Sequence, residues 1–241
     1  MTASSLQTSH DPRAGTVIGV LAIPPVLFLL VTVGFAIYYG SQGADPKQIA
    51  ERTQAAAPWI LVAVQVSLLG LVLLLSRTAG GLGWKMPADR RVGTELAIGA
   101  GCGAVLGLIY VFGLASVLTS VQRSLGDYVP PGSVLPSIGH SLWPFFVADV
   151  VLAPFVEESI YRGWATSRLL LRFGAFPTSL IVCSMFGALH WAGGIWYVLL
   201  VGFVAGGLFI ALRLLRRNLA APFGAHFGLN AVEYLFVLLS H

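Results

Sequence analysis

Charged residues are scarce in this sequence. Asp, Glu, Lys and Arg make up 10% of its 241 residues, while apolar residues make up 56%. Average soluble domains carry about 25% charged residues. A chain of this size with so few charges could not cover its surface in water, and no polar stretch is long enough to form a separate soluble domain. The composition excludes an ordinary globular protein and indicates a membrane as the surrounding solvent.

Cysteine is also scarce, and several protease signatures are missing. The two cysteines, Cys102 and Cys183, both lie in apolar stretches, which predicts buried small side chains rather than a disulfide or a metal pair. The sequence contains no H-E-x-x-H, G-x-G-D or G-x-S-x-G motif. It therefore offers no support for the protease classes that carry those signatures.

Long apolar stretches recur along the whole chain, each able to cross a hydrocarbon core about 30 Å thick. We predict an all-α polytopic transmembrane bundle of about seven spans, with six to eight compatible with the pattern. The fourth span is expected to continue as a basic helix to about Phe173. The predicted spans cover residues 16–39, 57–76, 93–121, 142–161, 177–193, 194–213 and 219–240.

Basic residues flank these spans unevenly. With seven spans, eleven of the fourteen Lys and Arg residues fall on one side, which predicts a cytoplasmic N-terminus and an outside C-terminus. Short loops and the lack of an organellar targeting segment favour a bacterial plasma membrane. Because the basic residues sit at span ends, the formal net charge of +4 indicates a lipid bilayer as partner and no nucleic acid.

The chain divides into three predicted parts. Residues 1–15 form a cytoplasmic tail, 16–141 hold N-terminal helices without a recognised motif, and 142–241 hold the residues suited to chemistry. The segments 41–56 and 122–141 are predicted loops, the second interrupted by prolines. Stripes of small residues predict close packing of helices within the chain, with dimerisation as the alternative. The prolines are Pro130, Pro131 and Pro136, and the stripes are Gly99, Gly103, Gly107 and Gly202, Gly206.

Six ionisable residues fall inside the predicted spans. A carboxylate at the bilayer centre costs about 2.5–3.5 kcal/mol on insertion scales, so such groups must face a polar interior and usually mark a functional site. Taken singly, each could be a structural group that packs or forms hydrogen bonds between helices. We keep this structural interpretation for Asp149 and Glu233. The six are Asp149, Glu157, Glu158, His190, His226 and Glu233.

The spacing of these residues separates their roles. Glu158 and Arg162 are four residues apart and can form an ion pair on one helix face. Glu157 is rotated about 100° from Glu158 on a helix of 3.6 residues per turn, so it points elsewhere. Phe186 precedes His190 by four residues, and His226 precedes Asn230 by four. We expect Glu157, His190, His226 and Asn230 to converge from three helices, where they could activate a water or bind a metal.

These three pieces resemble a known family. Glu157-Glu158-x-x-x-Arg162, Phe186-x-x-x-His190 and His226-x-x-x-Asn230 are similar, in order and spacing, to the three motifs of the CAAX protease and bacteriocin-processing (Abi) family of intramembrane proteases, which includes type II CAAX prenyl endopeptidases. The resemblance covers roughly residues 140–240.

The resemblance implies an intramembrane endopeptidase acting on a membrane-associated peptide or protein. In that family, the residues matching Glu157 and His190 are thought to activate water. Those matching His226 and Asn230 are thought to stabilise the oxyanion. Glu158 and Arg162 then form a supporting pair, and Phe186 belongs to the second motif.

Two mechanisms remain open from the sequence. A catalytic zinc needs three protein ligands and an open position, and Glu157, His190 and His226 could supply them. A metal-free glutamate mechanism also gives Asn230 a task, as a donor to the oxyanion, so we favour it slightly. The sequence names neither the substrate nor the oligomeric state.

Two other functions compete with proteolysis. Buried Glu and His residues also occur in transporters and proton-coupled carriers, although no inverted repeat with paired broken helices is visible here. A catalytically silent immunity or scaffold protein with the same fold is the third possibility, because a fold alone does not establish activity.

Overall fold

The computed structural model describes residues 13–78, 80–87, 91–129 and 142–239, and every regular element in these ranges is helical. The all-α prediction is therefore confirmed. Twelve α-helices are numbered in chain order: α1 Ala14–Ser41, α2 Pro46–Ala55, α3 Ala57–Ser76, α4 Arg91–Ile109, α5 Ala115–Ser124, α6 Leu142–Phe145, α7 Ala153–Glu158, α8 Thr166–Phe173, α9 Ala175–Leu189, α10 Ile195–Leu200, α11 Gly206–Arg216 and α12 Ala220–Leu239.

Several of these helices join into longer rods through π-helical turns. Tyr110–Leu114 joins α4 to α5, and Val201–Ala205 joins α10 to α11. In the rod from α6 to α8 there are two such segments, Phe146–Leu152 and Ser159–Ala165. A π-helical turn shifts the register of the side chains around the helix axis and is frequent at functional sites. Glu157 and Glu158 lie between the two in this rod.

Five helices in the described part of the chain are long and apolar enough to cross a membrane, namely Ala14–Ser41, Ala57–Ser76, Arg91–Ser124, Ile195–Arg216 and Ala220–Leu239. The shorter apolar α9 and the rod from α6 to α8 bring the total to the predicted seven. That rod ends at Phe173, as expected for the continuation of the fourth span.

Apolar side chains face outward and charged side chains face inward, the reverse of their arrangement in a soluble protein. Large apolar side chains such as Phe112, Phe176 and Leu30 point outward, whereas Glu158 and Arg162 have no exposed surface at all. In lipid an apolar exterior has no cost, and charged groups must be enclosed by protein. The chain is an integral membrane protein.

Helices α4 and α12 pack against each other more extensively than any other pair. The stripe Gly99, Gly103 and Gly107 lies against the backbone of α12, where an added Cβ would collide with Ala221 or Ala225 at the first two positions. Gly224 and Gly228 of α12 lie equally close to α4. The predicted intramolecular role of this stripe is confirmed, because only glycine lets the two backbones approach so closely.

Three local predictions differ from the structure or fall outside it. The segment 41–56 is not simply a loop, because Pro46–Ala55 is a helix with a capping box between Asp45 and Gln48. The fifth span ends at Leu189 rather than 193, so His190 caps the helix. The loop prolines at 130, 131 and 136, the basic residue at 90 and most of the predicted tail 1–15 lie outside the described residues.

Candidate active site

The two adjacent glutamates have different partners. Glu158 Oε1 lies 3.0 Å from Arg162 Nη1 and 3.0 Å from His226 Nδ1. The predicted pair between Glu158 and Arg162 is therefore confirmed, and both side chains are fully buried. Because a carboxylate only accepts hydrogen bonds, His226 donates from Nδ1 and its Nε2 points away from Glu158.

Arg162 is held by several contacts, although its Nε is buried without a hydrogen-bond partner among the described residues. Its Nη2 donates to the carbonyl of Gly206 at 3.1 Å, and its guanidinium carbon lies 4.1 Å from the centre of the Phe186 ring. The backbone carbonyl of Arg162 accepts from Arg213 Nε at 3.0 Å. A cation enclosed by a carboxylate, a carbonyl and an aromatic face is compensated for its loss of water.

Glu157 faces a different helix. Its Oε1 accepts a 2.7 Å hydrogen bond from Nε2 of Gln65 on α3, and it forms no salt bridge in the described ranges. Its Oε2 is buried without a partner, as are Glu158 Oε2 and Gln65 Oε1. A buried acceptor without a donor is costly unless water or a substrate satisfies it.

His190 lies at the turn after α9. Its Nδ1 is 2.9 Å from the carbonyl of Phe186, which can only accept, so Nδ1 carries the proton and Nε2 has a free lone pair. Gln122 Nε2 fixes the same turn by donating to Gly193 O at 2.7 Å. Gly194 then adopts a φ of +89°, a left-handed conformation that favours glycine.

Asp127 anchors the start of the next helix. Its carboxylate accepts from the backbone N–H of Trp196 at 3.0 Å and of Ile195 at 3.1 Å. These hydrogen bonds, that from Trp196 above all, hold the pKa of Asp127 below its usual range. The clamp formed by Gln122 and Asp127 thus fixes the turn that carries His190.

The remaining motif residue is turned towards the glutamate helix. Asn230 Nδ2 donates to the backbone carbonyl of Asp149 at 2.8 Å. A side-chain amide has two N–H donors, so one remains for another partner. Asp149 and Glu233 are only half-buried, and their carboxyl groups lie close enough to interact electrostatically.

Phe186 is the common neighbour of the cluster. Its ring centre lies 5.1 Å from that of His190 and 5.9 Å from that of His226. His226 also stacks on Phe209 at 4.8 Å. His226 is within electrostatic range of both Glu157 and His190. The structure thus brings the three motifs into one cluster. Among the described residues, no hydrogen bond joins Glu157 to either histidine.

The cluster lies near one end of the bundle. Trp164 Nε1 donates to Thr78 Oγ1 at 3.1 Å, in the loop that follows α3. Glu157 precedes Trp164 by seven residues, which places it about 10 Å from that loop at 1.5 Å per residue. Glu157 therefore lies about two helical turns from the end of the bundle that carries the loop after α3.

The residues present do not fit a metal centre. Across residues 13–78, 80–87, 91–129 and 142–239, no three His, Cys, Asp or Glu side chains are grouped closely enough to hold an ion. Glu157, His190 and His226, the predicted zinc ligands, belong to the cluster without forming such a group.

Comparison with known proteins supports the motif analysis. The family model described as "Type II CAAX prenyl endopeptidase Rce1-like" matches residues 139–232. These residues form an Rce1-like domain. The match includes every residue of the three motifs, and it confirms the predicted resemblance to the CAAX protease family. Neither a curated protein nor a solved structure matches the chain.

Sequence reasoning missed the partners that lie outside the motifs of the Rce1-like domain. Gln65 and Gln122 are both buried. Gln65 lies within apolar α3, and an amide inside a predicted span is a signal that could have identified it, whereas Gln122 lies in the polar last turn of α5. Arg213, the last residue of the sixth predicted span, is buried and donates to the backbone of Arg162.

Proposed function

We propose that this protein is an intramembrane endopeptidase that uses Glu157 as its general base. One observation supports this most directly. Of two adjacent buried glutamates, Glu158 is neutralised by Arg162 and His226, whereas the partner of Glu157 among the described residues is a neutral amide. A carboxylate without a paired cation can take a proton from water, and its unpartnered Oε2 is the atom suited to do so.

In the proposed reaction, Glu157 Oε2 takes a proton from a water while the water oxygen attacks the carbonyl carbon of the scissile bond. His190 Nε2, whose lone pair is free, accepts a hydrogen bond from the second hydrogen of that water and orients it. The tetrahedral intermediate keeps this hydrogen on its new hydroxyl group, and it collapses as the C–N bond breaks and Glu157 returns its proton to the leaving nitrogen. The products are an amine and a carboxylic acid, which gives up its proton to water.

Two groups are proposed to stabilise the oxyanion. Asn230 has one N–H beyond the one it gives to Asp149. His226 donates Nδ1–H to Glu158, and its Nε2 is turned away from that carboxylate. In the proposed step His226 acts as the imidazolium, whose Nε2–H is a strong donor to a developing negative charge.

The proposed substrate is a membrane-associated peptide or protein, and the Rce1-like domain suggests a C-terminal peptide next to a prenylated cysteine. The proposed setting is a bacterial plasma membrane, with the N-terminus in the cytoplasm and the C-terminus outside. The uneven distribution of basic residues supports this orientation, and the short distance from Glu157 to the loop after α3 agrees with access from the cytoplasm.

The test uses purified protein in lipid nanodiscs and a farnesylated CAAX-type peptide with a fluorophore and a quencher on opposite sides of the bond after the cysteine. We expect cleavage at that bond by the wild-type protein and none by Glu157→Gln. The same peptide without the farnesyl group tests whether the lipid is recognised. A parallel comparison of membrane peptides from cells carrying either form searches for other substrates. The absence of any Glu157-dependent fragment in both experiments would overturn the proposal.

A further inference from the structure

A buried glutamine on α3 contacts the proposed base from outside the Rce1-like domain. Gln65 is 4% exposed and lies 92 residues before Glu157. Helix α3 packs along the rod that carries both glutamates, next to α6, α7 and their π-helical segments. The contact is therefore fixed by the packing of two long helices rather than by a loop.

The neighbours of Gln65 on α3 make it exceptional. The other buried residues of this helix are all apolar: Pro58, Ile60, Val64, Leu68, Val72 and Leu75. An amide among these apolar side chains costs free energy unless it is hydrogen-bonded. Among the described residues, the amide of Gln65 forms one hydrogen bond, from Nε2 to Glu157, and its Oε1 is buried without a partner. The side chain does not bridge two helices through both of its ends, as a purely structural amide would.

The hydrogen bond distinguishes the two oxygens of Glu157. Because a carboxylate accepts, the amide nitrogen must face it, and at 2.7 Å the bond is short, as expected for a charged acceptor. Oε1 is held by this bond, while Oε2 has no partner. A carboxylate fixed through one oxygen cannot rotate freely about its terminal torsion, so the direction of the second oxygen is set.

We propose that Gln65 is a positioning residue that orients Glu157 so that Oε2, and not Oε1, acts on the water. This rests on the proposed function of Glu157 and deepens it. The Rce1-like domain supplies all the motif residues, but the orientation of its base depends on a helix from the N-terminal part of the chain, which carries no recognised motif.

Two variants test this. Gln65→Met keeps the length and shape of the side chain but removes the amide. Gln65→Asn keeps the amide but shortens the side chain by one carbon–carbon bond, about 1.5 Å. A misplacement of about 1 Å at a catalytic group can cost roughly 100-fold in rate. We expect both variants to lower kcat by roughly that factor with an unchanged KM for the farnesylated peptide, because Gln65 does not touch the substrate.

One control variant separates positioning from stability. Val72→Ala removes buried volume from the same face of α3, two turns away from Gln65, and should lower the thermal midpoint while leaving kcat per folded molecule unchanged. Gln65→Met leaves Glu157 buried without this hydrogen bond, so its midpoint should also fall. The comparison is therefore of kcat per folded molecule, which should fall about 100-fold in Gln65→Met and stay unchanged in Val72→Ala. If Gln65→Met lost activity only in proportion to folded protein, the role would be structural and the proposal wrong.

A spectroscopic measurement tests the contact without any substrate. The protein has only ten Asp and Glu residues, so the infrared carboxylate band of Glu157 can be assigned as the band missing from Glu157→Gln in nanodiscs. We expect Gln65→Met to shift this band, because the Glu157 carboxylate loses its hydrogen bond to Gln65. Val72→Ala should leave the band in place. An unshifted band in Gln65→Met would overturn the inference. If the band shifts but no probe is cleaved by the wild-type protein, the contact stands and the proposed function fails.

Discussion

Two buried polar regions lie side by side in this protein and differ in charge balance. In the first, Glu158, Arg162 and His226 form a network in which each ionic group has an oppositely charged or acceptor partner. In the second, Glu157 and Gln65 share one hydrogen bond, and each keeps a buried acceptor without a partner. Among the described residues, Glu158 Oε2 and Arg162 Nε also lack a partner, so the difference between the regions lies in charge. The first region neutralises its carboxylate and leaves only His226 Nε2 turned away from the network, whereas the second leaves a carboxylate without a cation.

The comparison explains why adjacent residues can have opposite roles. A charge surrounded by partners is stable but inert, because moving a proton to or from it would leave the partners unpaired. A carboxylate held by a neutral amide remains free to exchange a proton. One helix supplies both, because consecutive residues point about 100° apart.

The largest effect is expected at the base itself. Glu157→Gln should lower the rate of peptide cleavage by about 10²–10⁴, the usual contribution of a general base, because an amide cannot accept the proton of the water. Folded yield and thermal midpoint should stay close to wild type. Activity is read with the quenched peptide and folding by size-exclusion chromatography. Full activity in Glu157→Gln together with a stable but inactive Glu158→Gln would reverse the assignment of the two glutamates.

The next effect concerns the supporting network. Arg162→Met should destabilise the fold by about 3–5 kcal/mol, because it leaves Glu158 buried beside only one partner. Thermal unfolding in nanodiscs measures this. The double variant Glu158→Met with Arg162→Met should recover part of the loss, since it removes both charges of the pair. A single variant as stable as wild type would show that the network contributes less than its burial suggests.

A smaller effect is expected at the oxyanion donor. Asn230→Ala should lower kcat by about 10²–10³ if the amide stabilises the intermediate. Asn230→Asp is the matched variant of equal size, and it should be at least as impaired because it places a negative charge where one develops. A mild defect in Asn230→Ala, with zinc bound in stoichiometric amount and activity lost to a chelator and restored by zinc, would favour the metal mechanism instead.

The smallest effect is predicted at the clamp that fixes the turn of His190. The pKa of Asp127 is lowered on folding, so its contribution to stability is present above its ordinary value of about 4 and is lost as the pH falls through the lower folded value. The thermal midpoint of the wild-type protein should therefore drop in acid below pH 4. Asp127→Asn keeps an N-cap acceptor but cannot titrate, so this part of the pH dependence should vanish in that variant.

Much of the site could be predicted from the spacing of its residues along the sequence. The ion pair of Glu158 with Arg162 follows from a separation of four residues on a helix. The boundaries of α9 were harder to predict, because the apolar stretch continues beyond Leu189, where the helix actually ends. The α2 helix was missed although Asp45, Pro46 and Gln48 carry the signature of a capped N-terminus.

The sequence alone was enough to predict that this chain lies in a membrane, that it is helical, and which residues of the Rce1-like domain are suited to chemistry. Its scarcity of charge and the spacing of its motifs are local properties, and the geometry of a helix sets which side chains share a face. The contacts of Gln65 with Glu157 and of Arg213 with Arg162 are visible only in the folded protein. Such contacts depend on which helices are neighbours and at what height they pack, and no local spacing records that for residues 92 positions apart.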